Sequence, residues 1–282
     1  MKVGIVGLGL IGGSLALALR DRHEVAGYDR SPATRGAAAA AGLAVVSRLE
    51  DVVGDVVIVA TPLSEIVPIA QQLAPHADGC VVLDTGSLKG VIAEYAQHAP
   101  DRLRLVGGHP MAGATAAGFA SADPDLFRGR AFLLVPTARS DDRSMGVAGD
   151  VARECGAVVT VCSAEVHDRA MARLIVAPLA AAAALAAGAT DAAPLLSSAG
   201  PGFRDSTRLA ETPLELALEL LFGEPERSNA AIESVVEGLR QLRDRLVQGD
   251  RDYVRSFLLA AQAVRREMAA EPEASARLHG EA

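Results

Sequence analysis

The sequence predicts a doubly wound α/β fold with a mostly parallel sheet over residues 1–164, followed by an all-helical domain over residues 165–282. Two observations carry this expectation. Short β-rich runs at 2–6, 24–28, 55–60, 80–84, 104–108, 131–135 and 157–162 are mostly separated by helix-length amphipathic or alanine-rich segments, and that alternation implies crossover helices between parallel strands. From Glu165 onward no convincing strand follows, and the segments 230–247 and 252–269 repeat apolar residues at the helical period. The change of character sets a boundary near 163–165. The stretch 188–208, with Pro194, Ser197, Ser198, Gly200, Pro201 and Gly202, reads as a loop that divides the helical half.

Composition narrows the class of ligand. Half of the 282 residues are hydrophobic, so a sizeable core is available. A net charge of −8 without a long basic run argues against nucleic acid or an acidic membrane surface as principal partner. An anionic ligand would have to be held by a few local donors. Cys80, Cys155 and Cys162 are odd in number and lack metal-ligand spacing, which suits core side chains in a reducing compartment and no metal site. The chain opens directly into a strand pattern with no basic leader, so a cytoplasmic location is expected. The apolar stretch 174–190 is mostly alanine, contains Pro178 and Gly188, and is short of the ~20 strongly apolar residues a membrane span needs. A buried helix is expected there.

The first β-run leads directly into Gly7-Leu8-Gly9-Leu10-Ile11-Gly12 and then a helix, the context in which a GxGxxG turn binds a dinucleotide in a Rossmann-type fold. Gly7 permits the tight turn, Gly9 lets the backbone approach a pyrophosphate, and Gly12 allows close helix–sheet packing. The helix N-terminus offers amides and a positive dipole to the phosphates. The second β-run ends at Asp29, where an acid hydrogen-bonds the ribose hydroxyls and repels a 2′-phosphate, so NAD is favoured over NADP. Arg30 follows it as a candidate to stack on adenine or, as the alternative, to take a phosphate, and Leu10, Ile11 and Thr61 complete the expected cofactor contacts. Asp29 could also cap the helix that begins near Pro32.

Two further segments follow strands of the same sheet, and the carboxyl ends of such strands face the cofactor crevice. They are Asp84-Thr85-Gly86-Ser87-Leu88-Lys89 and Gly107-Gly108-His109-Pro110-Met111-Ala112-Gly113. Flanked by glycines and Pro-Met-Ala-Gly, His109 is expected to project from a loop at the sheet's carboxyl edge. There it is a candidate to accept the proton of a substrate hydroxyl as hydride leaves the adjacent carbon.

At these residues the chain resembles the prephenate/arogenate dehydrogenases. The resemblance lies in residues 7–14, Asp-x-Gly-Ser-x-Lys at 84–89, His-Pro-Met-Ala-Gly at 109–113 and the run 123–130. It continues with His167-Asp168-Arg169 and Gly202-Phe203-Arg204-Asp205-Ser206-Thr207-Arg208 in the helical half. The resemblance implies NAD-dependent oxidative decarboxylation of prephenate or arogenate to an aromatic product, as in tyrosine biosynthesis. It implies that His109 polarises the ring hydroxyl, that Ser87 hydrogen-bonds His109 and the substrate, and that Arg208 binds the ring carboxylate that is lost. Thr115 is a further substrate contact, and the helical half is expected to form a homodimer.

The chain departs from the family pattern on the substrate side. Ile175-Val176-Ala177-Pro178 stands where the family commonly has Ser-His-Leu-Pro, Ala114-Thr115 where it often has Ser-Glu, and Leu216 where it has tryptophan. An amino-substituted ring such as 4-amino-4-deoxyprephenate is therefore an alternative substrate, and a non-catalytic NAD-binding module is the alternative of another class. A β-hydroxyacid dehydrogenase would need a lysine in the helical half, whereas the only lysines are Lys2 and Lys89.

Overall fold

The computed structural model describes residues 1–77, 79–113 and 118–277. Eight strands form one sheet: β1 (Lys2–Val6), β2 (Glu24–Tyr28), β3 (Ala44–Val45), β4 (Val56–Val59), β5 (Val81–Asp84), β6 (Arg104–Pro110), β7 (Ala131–Pro136) and β8 (Val158–Val161). Their order is β3-β2-β1-β4-β5-β6-β7-β8. Every neighbouring pair is parallel except β6 with β7. The order reverses between β1 and β4, which opens a crevice at their carboxyl ends. Two-residue β3 escaped the sequence pattern because it is too short to show alternation.

Helices α1 (Leu10–Leu19), α2 (Pro32–Ala40), α3 (Leu63–Leu73), α4 (Gly90–His98) and α5 (Asp142–Glu154) connect the strands. Strand β4 shows how the sheet is covered on both faces. Val56 and Ile58 join a core with Leu15, Leu19, Phe132 and Val151, while Val57 and Val59 join a second core with Ile66, Ile69 and Ile92. Successive side chains point to opposite faces, so a doubly covered strand must be apolar throughout. The Val-Val-Ile-Val run of β4 meets that demand.

The remainder is helical: α6 (Ala164–Met171), a π turn Ala172–Val176, α7 (Ala177–Gly188), a 3-10 run Ala189–Ser198, α8 (Pro201–Thr207), a 3-10 turn Arg208–Glu211, α9 (Leu214–Phe222), α10 (Pro225–Val247) and α11 (Arg251–Arg277). The loop expected at 188–208 is thus mostly helical. Pro201 occupies the first turn of α8, where its missing N–H has no partner to lose. Compact units span Met1–Ser228 and Asn229–Ala282. Within the second, Tyr253 Oη donates to Gln241 Oε1 at 2.8 Å, while Leu246, Val247, Leu258, Leu259 and Val264 are exposed.

Two expectations about apolar residues are refined. The stretch Ala164–Gly188 is long and apolar enough to cross a membrane, and only 33 % of its most apolar window is buried. The helix expected to be buried is therefore only partly covered by its own chain, with Leu174 and Leu185 exposed. Cys80 and Cys155 are buried, and burial pushes their thiols up to about 11 and about 12, which makes them poor nucleophiles.

Candidate active site

The glycine turn after β1 is fixed by sterics. Gly7 has φ +89°, and a Cβ there would lie 2.4 Å from the Ala60 carbonyl oxygen. A Cβ on Gly12 would lie 1.8 Å from the Gly7 carbonyl oxygen, so α1 can pack on the turn only through glycine. Gly9 differs: nothing lies within 4 Å of its added Cβ, and no side chain caps the α1 N-terminus that follows. The first amides of α1, flanked by open space, are free for an anionic group.

Asp29, at the end of β2, accepts from the Leu8 amide at 2.9 Å and the Ser31 amide at 2.8 Å. Its carboxylate therefore ties the glycine turn to β2. The cap of α2 is Ser31, which accepts from Thr34 N at 3.3 Å, so the capping alternative for Asp29 gives way to its neighbour. Gly7, Asp29, Arg30 and Thr61 line a cavity of about 380 Å³, in which Arg30 is exposed and 3.4 Å from Glu65.

A second cavity of about 370 Å³ is lined by Leu10, Ile11, Ser87, His109 and Leu216, and shares Gly9, Ala60, Thr61 and Pro62 with the first. Thr61 Oγ1 is buried without a hydrogen-bond partner among the described residues. Uncapped amides beside an open glycine, an acceptor carboxylate at the end of β2 and an orphaned hydroxyl form a set of donors and acceptors that suits a dinucleotide lying across both cavities.

His109 lies in strand β6, not in a loop as its glycine and proline neighbours suggested. Strand β5 pairs with β6 only as far as Leu83↔Val106, and antiparallel β7 carries β6 onward through His109↔Leu133 and Pro110↔Phe132. The histidine thus overhangs the carboxyl edge while keeping strand geometry. Gly107 and Gly108 make room beneath it: a Cβ on Gly108 would lie 2.5 Å from the Asp84 carbonyl oxygen, and one on Gly107 3.0 Å from Lys89 Cδ.

Fully buried Lys89 donates to the Asp84 carboxylate and, at 2.7 Å, to the Gly108 carbonyl. Burial pushes the Asp84 carboxyl up and the Lys89 ammonium down, and their mutual attraction opposes both shifts. His109 is 6 % exposed and its Nδ1 lies 3.0 Å from His167 Nε2. His167 Nδ1 lies 2.6 Å from Asp168 Oδ1, and Asp168 accepts from the amides of Lys89 at 2.8 Å and Gly90 at 2.6 Å. Burial foremost, then the charge of Lys89, holds the His109 imidazole well below its ordinary range. It is therefore neutral at neutral pH, the form in which it can take up a proton.

The structure brings Gly9, Leu10, Ile11, Thr61, Ser87 and His109 along one cavity, with Gly7, Asp29 and Arg30 along the adjoining one. Ser87 shares the cavity with His109, but the nitrogen partner of His109 is His167 rather than Ser87. Arg208 is not brought in: α8 leaves it exposed at the start of the turn Arg208–Glu211, outside the cavity lining. Thr115 lies outside the described residues.

Three contributors had no role assigned from the sequence. His167 and Asp168 were visible only as a motif. Glu219, from α9, accepts from the Leu63 amide at 3.0 Å and Ser64 Oγ at 3.0 Å, joining the helical wall of the cavity to the start of α3. No local pattern marks a partner 156 residues away.

Comparison with known proteins agrees with this geometry. Residues 15–161 match the family described as prephenate dehydrogenase, nucleotide-binding domain, and residues 163–260 match prephenate dehydrogenase, dimerization domain. The prephenate dehydrogenase of Lactococcus lactis subsp. cremoris is 29 % identical over 282 residues, which cover 95 % of this chain and 77 % of that protein. The crystal structure of Synechocystis arogenate dehydrogenase is similar with a TM-score of 0.82 at 28 % identity, covering 95 % of this chain and 100 % of that one. Prephenate dehydrogenase from Aquifex aeolicus, in complex with hydroxyphenyl propionate and NAD+, is similar with a TM-score of 0.83 at 27 % identity, covering 95 % of this chain and 98 % of that one. This chain belongs to the prephenate dehydrogenase family and is an NAD-dependent dehydrogenase.

Proposed function

We propose that the protein converts a prephenate-type cyclohexadienol, prephenate or arogenate, into an aromatic product by NAD-dependent oxidative decarboxylation, with His109 as the base. The observation that carries this reading is a buried histidine, its imidazole held well below the ordinary range by burial, on the wall of a cavity that shares Gly9 and Thr61 with the Asp29 cavity. Gly7, Gly9, Leu10, Ile11, Gly12 and Thr61 hold the dinucleotide, Asp29 takes its ribose hydroxyls and Arg30 flanks the adenine. Bound there, NAD supplies the acceptor for the hydride of the carbinol carbon.

His109 takes the hydroxyl proton as that carbon is oxidised, and Ser87 orients the hydroxyl from the same cavity. Oxidation leaves the ring carboxylate vinylogous to a ketone, so carbon dioxide departs as the ring becomes aromatic. Arg208, outside the cavity lining in this structure, is the proposed partner of this carboxylate, and Thr115 is proposed as a further contact. Leu216 and Leu220 give the cavity an apolar wall that limits water.

In this reading residues 1–164 bind the dinucleotide, while 165–282 complete the site and dimerise. The exposed apolar residues of α7, α9, α10 and α11, among them Leu185, Phe222, Leu246 and Leu258, support a second copy as the cover. A reducing, cytoplasmic setting follows from the free cysteines, and the net charge of −8 disfavours nucleic acid or an anionic membrane as partner. The test is NADH formation with prephenate, arogenate and 4-amino-4-deoxyprephenate. Turnover with prephenate or arogenate is expected; no turnover with either overturns the reading. Sedimentation at micromolar concentration is expected to show a dimer.

A further inference from the structure

The side chains behind His109 form a single directed line of hydrogen bonds, and its direction follows from its far end. Asp168 sits at the N-terminus of α4, where its two carboxylate oxygens accept from the amides of Lys89 at 2.8 Å and Gly90 at 2.6 Å. Burial alone would raise its pKa. The hydrogen bonds from His167 and from these amides outweigh burial and hold it below the ordinary aspartate range. Asp168 is thus an ionised acceptor without a proton to give.

The bond of 2.6 Å between His167 Nδ1 and Asp168 Oδ1 therefore carries its proton on His167 Nδ1. A neutral imidazole with its proton on Nδ1 presents a lone pair at Nε2. That nitrogen lies 3.0 Å from His109 Nδ1, so the proton between the two rings belongs to His109 Nδ1. The remaining nitrogen of His109, Nε2, then has a lone pair, and the ring lines the cavity shared with Ser87.

We propose that His167 and Asp168 are positioning residues that fix His109 in the Nδ1–H tautomer, so that Nε2 is the basic atom offered to the ligand. This rests on His109 being the base, as argued above, and adds what makes it one. When Nε2 takes a hydroxyl proton, the charge gained by His109 is shared through Nδ1–H with His167, whose own Nδ1–H faces the Asp168 carboxylate. His167 is 1 % exposed and Asp168 2 % exposed, so no water competes for these bonds.

The direct test is long-range ¹H–¹⁵N NMR of the full-length chain labelled at histidine, with His109 and His167 assigned from single variants. His109 is expected to carry its proton on Nδ1, facing His167; a His109 protonated on Nε2 in the resting enzyme would overturn the proposal. The functional arm is Asp168→Asn, whose amide can donate to His167 Nδ1 and so reverse the line. Its kcat is expected to fall about 100-fold or more, as for loss of a positioned base, with KM for NAD and the ring substrate within about threefold.

If Asp168→Asn does not fold, His167→Gln provides the same comparison of kcat with KM. An unchanged kcat in a folded variant sinks the proposal. His109→Ala separates the two levels: turnover retained there defeats the base assignment itself, while turnover lost there but kept in Asp168→Asn defeats only the relay.

Discussion

Around Gly7, Gly12 and Asp29 the cavity wall is held by backbone: a carbonyl 1.8 Å from a hypothetical Cβ, a positive φ, and a carboxylate taken by two amides. The helical wall, Pro213, Leu216, Glu219 and Leu220, is tied to the start of α3 by the Glu219 side chain. On α9, Leu214 is 69 % exposed and Phe222 70 % exposed, and the preceding Arg208, outside the cavity lining, has no ion pair among the described residues. The first wall tolerates one geometry and so one class of cofactor. The second includes Leu216, one of the positions where the resemblance to the family lapses. Under the proposed function, cofactor choice and proton chemistry belong to the rigid wall, and ring selection to the other.

Substitutions should divide along this line. On the rigid side, His109→Ala is expected to lower kcat by roughly two to four orders of magnitude with little change in KM, measured by steady-state NADH formation. Because the imidazole is held well below 6.5, activity in the parent should stay level through that pH and fall only well below it. The same shift acts on stability. Between the depressed folded value and 6.5 the unfolded histidine binds the proton that the folded one refuses, so acidification through that window destabilises the fold.

Lys89→Met should cost about 3–5 kcal/mol of stability by denaturant titration, because Asp84 is left as an uncompensated buried charge. Loss of a comparable amount by an exposed lysine would be anomalous; here the ammonium is fully buried. On the helical side, Arg208→Ala should raise the KM of the ring substrate roughly 30-fold or more while kcat changes less, as for an unpaired bound carboxylate. An unchanged KM would remove Arg208 from the site and leave its exposed position as its resting place. The smallest effect is expected at Asp29→Ser, which should narrow the preference for NAD over NADP by about tenfold, the worth of one charge-assisted hydrogen bond. Equal use of both cofactors by the parent would break the comparison at its rigid side.

What could be read in the sequence follows from the range of the interactions. The glycine turn and Asp29 were legible because their constraints are steric and local. His109 was placed at the correct edge but in a loop, since its strand exists only through antiparallel pairing with β7, which Gly and Pro content does not reveal. The segment 188–208 was read as a loop on the same grounds, although Pro201 opens a helix. The link from His109 to His167 spans 58 residues and that from Asp168 to Lys89 spans 79, so the motif showed the residues and not their connection. Arg208 is the reverse case: its motif is plain, but the fold of one chain does not carry it to the cavity.

The central claim is that the base and the dinucleotide crevice act on one ring in one cavity. It is tested most directly by measuring NADH and carbon dioxide together from the parent protein with prephenate or arogenate. Equal amounts of the two, formed at the same rate and both lost in His109→Ala, are expected. NADH without carbon dioxide, carbon dioxide without NADH, or equal formation of both by the His109→Ala protein would contradict it.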